Sequence, residues 1–186
     1  SPDKGHIYVD GAELQNFEVQ EIRKAVVYVS QEDFLFTASV RENLKMGNEE
    51  ISDEEMIEIS RKMGVHQFVS KMERAYDSVL EERGKNLSKG QRQKLSLTRA
   101  ILRHPKILIL DEATSNMDSI SEREILNYIK GIRDITLILI SHRINVIADS
   151  DCIYVLQKGN IVARGTDKQL KEQCKLYRQL YGEEEK

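Results

Sequence analysis

Cysteine is scarce in this chain of 186 residues, and its two copies, Cys152 and Cys174, do not share the spacing of a metal knuckle. They read as plain buried or half-buried thiols of a reducing compartment. Long apolar runs are missing too: none approaches the ~18 residues that a bilayer crossing requires. No charged-then-apolar leader opens the chain. There are no internal repeats and no low-complexity stretch beyond the charged end "GEEEK". An excess of positive charge is absent, since the formal net charge is −3, so nothing asks for nucleic acid. With 40% hydrophobic and 32% charged residues, what remains is one globular domain with a real core. The chain begins Ser1-Pro2 without Met, which reads as a processed or cloned piece of something longer.

Three short β-branched runs stand out: "AVVYVS" (25–30), "KILIL" (106–110) and "ITLILIS" (135–141). They barely alternate, as strands of a parallel sheet buried on both faces do. Between the first two lies a helical region at roughly 39–104. Within it, Ser52-Asp53-Glu54-Glu55 has the form of a capping box, with Met56, Ile59 and Met63 at helical spacing before Gly64. "HQFVSKME" continues as a second short helix. Past His142, "CIYVLQ", "KGN" and "IVARG" read as a hairpin. Thr166 caps a last helix bearing Leu170, Leu176 and Leu180, and "GHIYVDG" alternates like a strand. The expectation is an α/β core made of 1–38 and 105–186, with a helical subdomain at 39–104.

Each central strand hands over to a polar residue. "VVYVS" is followed by Gln31, "KILIL" by Asp111 and Glu112, "ITLILIS" by His142. Ligands of open parallel sheets sit beyond the carboxyl ends of the strands. Any one of these residues alone is an ordinary loop group; together they line one sheet edge with an amide, two carboxylates and an imidazole. A fourth feature is "NLSKGQRQKLSLTRAILRHP" (86–105). Ser88 and Gln91 form a capping box for a helix that runs to about Arg103 and stops at His104-Pro105. Such a helix start attracts phosphate, and Gly90 admits close approach of a backbone or ligand. The bland alternative is that Ser88 only caps, and that Arg92, Lys94, Arg99 and Arg103 are a solvated face.

"LSKGQRQ" resembles the signature sequence of ATP-binding-cassette (ABC) proteins, usually LSGGQ. "ILILDEATSNMD" is similar to their Walker B strand, catalytic Glu and D-loop, "SHR" (141–143) to their H-loop, and "VSQEDFLF" to their Q-loop. "LEERGKNLSKGQRQ" and "FTASVRENL" are close to the exporter subgroup, and the likeness runs from "DKGHIYVDG" to "VARGTDKQL". The resemblance implies a P-loop NTPase core with a mainly parallel sheet, ATP and Mg²⁺ as ligands, and a place at the cytoplasmic face of the cell membrane. It implies two partners, a second nucleotide-binding domain and a transmembrane domain. Asp111 and Gln31 would hold Mg²⁺. Glu112 would be the general base, and His142 would contact the γ-phosphate. Gln31 would also report to the membrane partner. Asp118 would reach across to a second copy of the domain, and Ser88 and Gly90 would bind the γ-phosphate of the nucleotide held there. Lys89 and Gln91 belong to the same nucleotide-binding stretch. Lys89 stands where the family usually has Gly, and either attracts phosphate or turns to solvent. "SNMD" replaces the commoner SALD but keeps Asp118.

None of the ten glycines opens a G-x-x-x-x-G-K-[ST] loop. In the family that P-loop precedes the strand found here at 5–11. Its strand, its helix and the adenine-stacking aromatic are therefore expected before Ser1. These 186 residues alone are then expected to be inactive. Two other readings stand beside an exporter ATPase. One is an ABC ATPase of a non-transport class, whose long coiled coils would show heptads that are absent here. The other is a non-enzymatic module lending its signature face to a partner, which would not need Glu112 and His142.

Overall fold

The computed structural model describes residues 2–32 and 34–184. A short hairpin of β1 (Tyr8–Val9) and β2 (Ala12–Glu13) leads into α1 (Val19–Ala25) and β3 (Val26–Val29). Then come α2 (Val40–Lys45), α3 (Asp53–Lys62), α4 (His66–Val69) and α5 (Lys89–Leu102). The chain continues through β4 (Ile107–Asp111), α6 (Ser119–Lys130), β5 (Thr136–Ile140) and α7 (Ile144–Ile147). It closes with β6 (Ile153–Gln157), β7 (Asn160–Gly165), α8 (Asp167–Gln173) and α9 (Lys175–Glu184).

The three β-branched runs become one parallel sheet in the order β3-β4-β5, so their carboxyl ends lie side by side. Val27, Val29, Leu108 and Leu110 point to one face and are buried there, with Leu137 and Leu139 packed against them. The other face differs from the expectation. Tyr28, Ile138 and Ile140 are 56%, 43% and 48% exposed, so this parallel sheet is covered on one side only. β6 and β7 form the antiparallel hairpin read from the sequence, over a second small core of Ile144, Ile153, Val155, Leu170, Cys174 and Tyr177. Cys174 is therefore buried as expected, whereas Cys152 is exposed.

The helix starts follow their caps. Ser88 Oγ accepts from the Gln91 N–H at 3.2 Å, and Gln91 Oε1 accepts from the Ser88 N–H at 2.9 Å. That closes the capping box of α5. The expected box at Ser52 is only half made. Ser52 accepts from Glu55 N, but the Glu55 carboxylate lies 3.2 Å from His104 Nε2 instead of returning to the Ser52 N–H. The expected last helix is two. Cys174 is extended (φ −114°, ψ 107°) and separates α8 from α9, and Leu170, Cys174 and Tyr177 are buried in the same small core. One continuous hydrophobic cluster joins the sheet to α2, α3 and α5.

Candidate active site

The edge where β3, β4 and β5 end carries the expected groups. Asp111 is the last residue of β4, and Glu112 follows with φ +50°, a left-handed backbone that costs a non-glycine residue energy. The Glu112 N–H donates to the Ile140 carbonyl at 2.9 Å, which fastens this strained residue to the end of β5. Two residues past Ile140, His142 Nδ1 lies 2.9 Å from Glu112 Oε1. An ionised carboxylate only accepts, so the ring nitrogen donates. His142 is mostly exposed and Glu112 about one third exposed, so the pair is open to an incoming molecule.

Asp111 has a partner that the sequence did not reveal. Tyr28, on the bare face of β3, donates its hydroxyl to Asp111 Oδ2 at 2.8 Å. That hydrogen bond is the first reason the Tyr28 phenol is held above its usual pKa, with desolvation and the Asp111 charge adding to it. In register, Tyr28 pairs with Ile109, two residues before Asp111, so both side chains are on the same face. Gln31 follows β3 on the same edge and is exposed. No bond from it to Asp111 is seen among the described residues.

Ser88, Lys89, Gly90 and Gln91 lie at the start of α5. They line an open cavity of about 600 Å³ together with Lys71, Lys94 and the loop residues Asn116 to Asp118, and neither Asp111 nor Glu112 lines it. Here Gly90 is required by sterics: a Cβ built on it would lie 2.9 Å from the Asn116 carbonyl. Buried Gln93 locks the same junction, its Oε1 accepting from the Asn116 N–H at 3.0 Å. The start of α5 is thus welded to the loop that carries Asp118. The first turn of α5 has no acidic residue and begins with Lys89, a cation against the positive end of the helix dipole. Asp118 caps α6 by accepting from the Ser121 N–H at 2.9 Å, and this bond is the main reason its carboxyl sits below the usual range.

No group of three or more His, Cys, Asp or Glu capable of holding a metal lies among the described residues. The donors at the edge read as cation ligands are one carboxylate, Asp111, and one amide, Gln31. That set suits Mg²⁺, which commonly takes one or two carboxylates and completes its shell with water and substrate phosphates.

The fold defines the class: an α/β core of ABC type. It superposes on a structure of a bacterial Atm1-family ABC exporter with ATP bound (TM-score 0.94, 30% identity), covering 99% of this chain and 33% of that one. The ABC transporter family model matches residues 1–115, and the chain belongs to that family. It is 42% identical over 173 residues to the heterocyst differentiation ATP-binding protein HepA of Nostoc sp., covering 92% of this chain and 28% of that protein. It is 39% identical to the leptomycin B resistance protein pmd1 of Schizosaccharomyces pombe (98% of this chain, 14% of that protein). It is 38% identical to the mitochondrial iron-sulfur clusters transporter ABCB7 of Oryzias latipes (91% and 23%). The chain therefore spans less than a third of each of these relatives. The family and the exporter type read from the motifs are borne out.

Proposed function

We propose that these residues form the catalytic and signature parts of the ATP-hydrolysing domain of an ABC exporter, working as a head-to-tail pair at the cytoplasmic face of a membrane. The observation that carries the reading is the Glu112–His142 pair at 2.9 Å, set beside Asp111 at the end of a parallel sheet in a chain of this family.

Glu112 takes the proton of the attacking water, and its strained backbone aims it away from the strand path. His142 orients that carboxylate through Nδ1, and in its imidazolium form, which donates from both ring nitrogens, it gives Nε2–H to the γ-phosphate. Asp111 and Gln31 would hold Mg²⁺, and the bound cation would neutralise phosphate charge. Tyr28 occupies only one Asp111 oxygen, and a carboxylate has lone pairs left for a cation. Phosphoryl transfer needs this kind of positioning and charge neutralisation more than covalent chemistry. The signature residues Ser88, Lys89, Gly90 and Gln91 serve the γ-phosphate of a nucleotide held by the second domain, with Asp118 at the junction. Ser88 spends its capping bonds on Gln91, and the cavity it lines holds neither Asp111 nor Glu112. Region 39–104 is the helical subdomain that carries this face, and a transmembrane domain reads its movement through Gln31.

The test is phosphate release by the assembled transporter with Mg²⁺ and ATP. Glu112→Gln is expected to keep ATP binding and to lose ~10²–10⁴ in rate, the usual contribution of a positioned base. A rate within about threefold of wild type would remove Glu112 from that role.

A further inference from the structure

Among the buried described side chains, Glu122 is the one carboxylate, at 2% exposure. Its carboxylate meets Arg143 through two bonds, Nη1 to Oε1 at 3.0 Å and Nη2 to Oε2 at 2.7 Å. A pair of this kind, with Glu122 buried and Arg143 about 25% exposed, gives little net stability compared with apolar residues of the same size, because desolvating the charges offsets their attraction. What it does give is a fixed, bidentate geometry. The question is what that geometry fixes.

The neighbours on either side supply the answer. Arg143 directly follows His142, and the Arg143 N–H donates to Ser141 Oγ at 3.0 Å, so the link from β5 to α7 is tied down at this point. His142 itself is two thirds exposed, and its ring contact in the structure is Glu112. Glu122 lies one helical turn after Asp118, whose carboxylate caps the same helix, α6. A rigid helix turn thus joins Asp118 to Glu122, two hydrogen bonds join Glu122 to Arg143, and one peptide joins Arg143 to His142.

We propose that Glu122 and Arg143 are positioning residues: their buried fork holds His142 against Glu112 and couples that contact to the loop carrying Asp118. The role of His142 and Glu112 in hydrolysis rests on the function proposed above; the coupling itself does not.

The test separates positioning from stability by neutralising the pair. Arg143→Met and Glu122→Leu each strand a charge and are expected to lower the melting temperature of the chain, whereas the double variant, with an apolar pair, is expected to melt close to wild type. Histidine side-chain ¹H–¹⁵N spectra near about pH 8, above the ordinary imidazole pKa of about 6.5, then read the ring. His142→Gln assigns its signals. Wild type is expected to show Nδ1 holding its proton against the carboxylate, and the double variant the averaged signature of a free ring. Arg143→Lys keeps charge and stem but loses the fork, and is expected to shift the signal part of the way. An unchanged Nδ1 signature in both the double variant and Arg143→Lys would overturn the proposal. In the assembled transporter the double variant is expected to lose about tenfold or more in kcat, within the ~10²–10⁴ of a positioned acid–base group, with KM for ATP little changed. A wild-type assembly without Glu112-dependent turnover would count against the proposed function, and the spectra would still decide the coupling.

Discussion

Gly90→Ala sets two energies against each other. Alanine in place of glycine favours a helix by up to ~1 kcal/mol in its interior. At residue 90, the second of α5, only part of that gain is available. Against it stands a Cβ 2.9 Å from the Asn116 carbonyl, closer than real Cβ contacts come. The obstructing atom is backbone, and it cannot swing aside freely, because the Asn116 N–H is held by buried Gln93. Relief requires moving either the first turn of α5 or the loop before Asp118. Overpacking of this sort costs roughly 1–3 kcal/mol. The cost wins, and the variant is expected to be about 1–2 kcal/mol less stable. For a chain of this size each kcal/mol is worth ~2–4 °C in Tm. Gly131→Ala is the internal control. It has φ −79°, and its Cβ would meet the Asn127 and Tyr128 carbonyls at 3.4 Å, an ordinary contact. Restricting the unfolded chain there is expected to stabilise by ~0.4–1 kcal/mol. Urea midpoints followed by circular dichroism should fall in the order Gly131→Ala, wild type, Gly90→Ala. A Gly90→Ala midpoint at or above wild type would show that the α5–Asn116 junction is not the tight weld described here.

The 186 residues by themselves, lacking G-x-x-x-x-G-K-[ST], are expected to release no phosphate from Mg²⁺-ATP; turnover that Glu112→Gln abolishes would refute this. Asp118 has a lowered pKa in the folded state, so the stability it contributes is complete above the unfolded carboxyl value of about 3.9 and fades as pH falls through the folded value. Asp118→Asn should therefore flatten the fall in urea midpoint below about pH 4, and an unaltered slope would contradict the cap assignment. The open sheet face predicts self-association: Ile138→Thr with Ile140→Thr should reduce the mass seen by light scattering without lowering Tm much. Leu108→Ala, on the buried face, should instead cost ~2–5 kcal/mol.

Much of the site was legible in the sequence because its chemistry sits where periodicity breaks. "KILIL" stops at Asp111, "ITLILIS" just before His142, and Ser88-x-x-Gln91 announces α5. What escaped were contacts made across long separations. Tyr28 meets Asp111 from 83 residues away, and nothing local marks it, since tyrosine is an ordinary strand residue. The uncovered sheet face escaped because "VVYVS" and "ITLILIS" read as continuously apolar, which is how doubly buried strands look, and sequence cannot say what lies on each side. Glu55 left its expected cap for His104, 49 positions on. One missed feature did leave a trace: Glu122, Ile125, Leu126 and Ile129 share one face of α6 at helical spacing and are all buried. A carboxylate on that stripe demands a cation, and "SHR" held it.

Head-to-tail hydrolysis requires that the signature of one copy complete the site of the other. Two copies of the domain with separable lesions, each in the assembled transporter, decide it. One copy carries Ser88→Arg and the other Glu112→Gln, and their ATP turnover is compared with a pair in which both lesions share one copy and the other is wild type. If Ser88 acts across the interface, the first pair keeps one intact site and turns over, and the second keeps none. Turnover by the second pair and silence in the first would place Ser88 and Glu112 in one site of one chain, and the head-to-tail mechanism would be wrong for this protein.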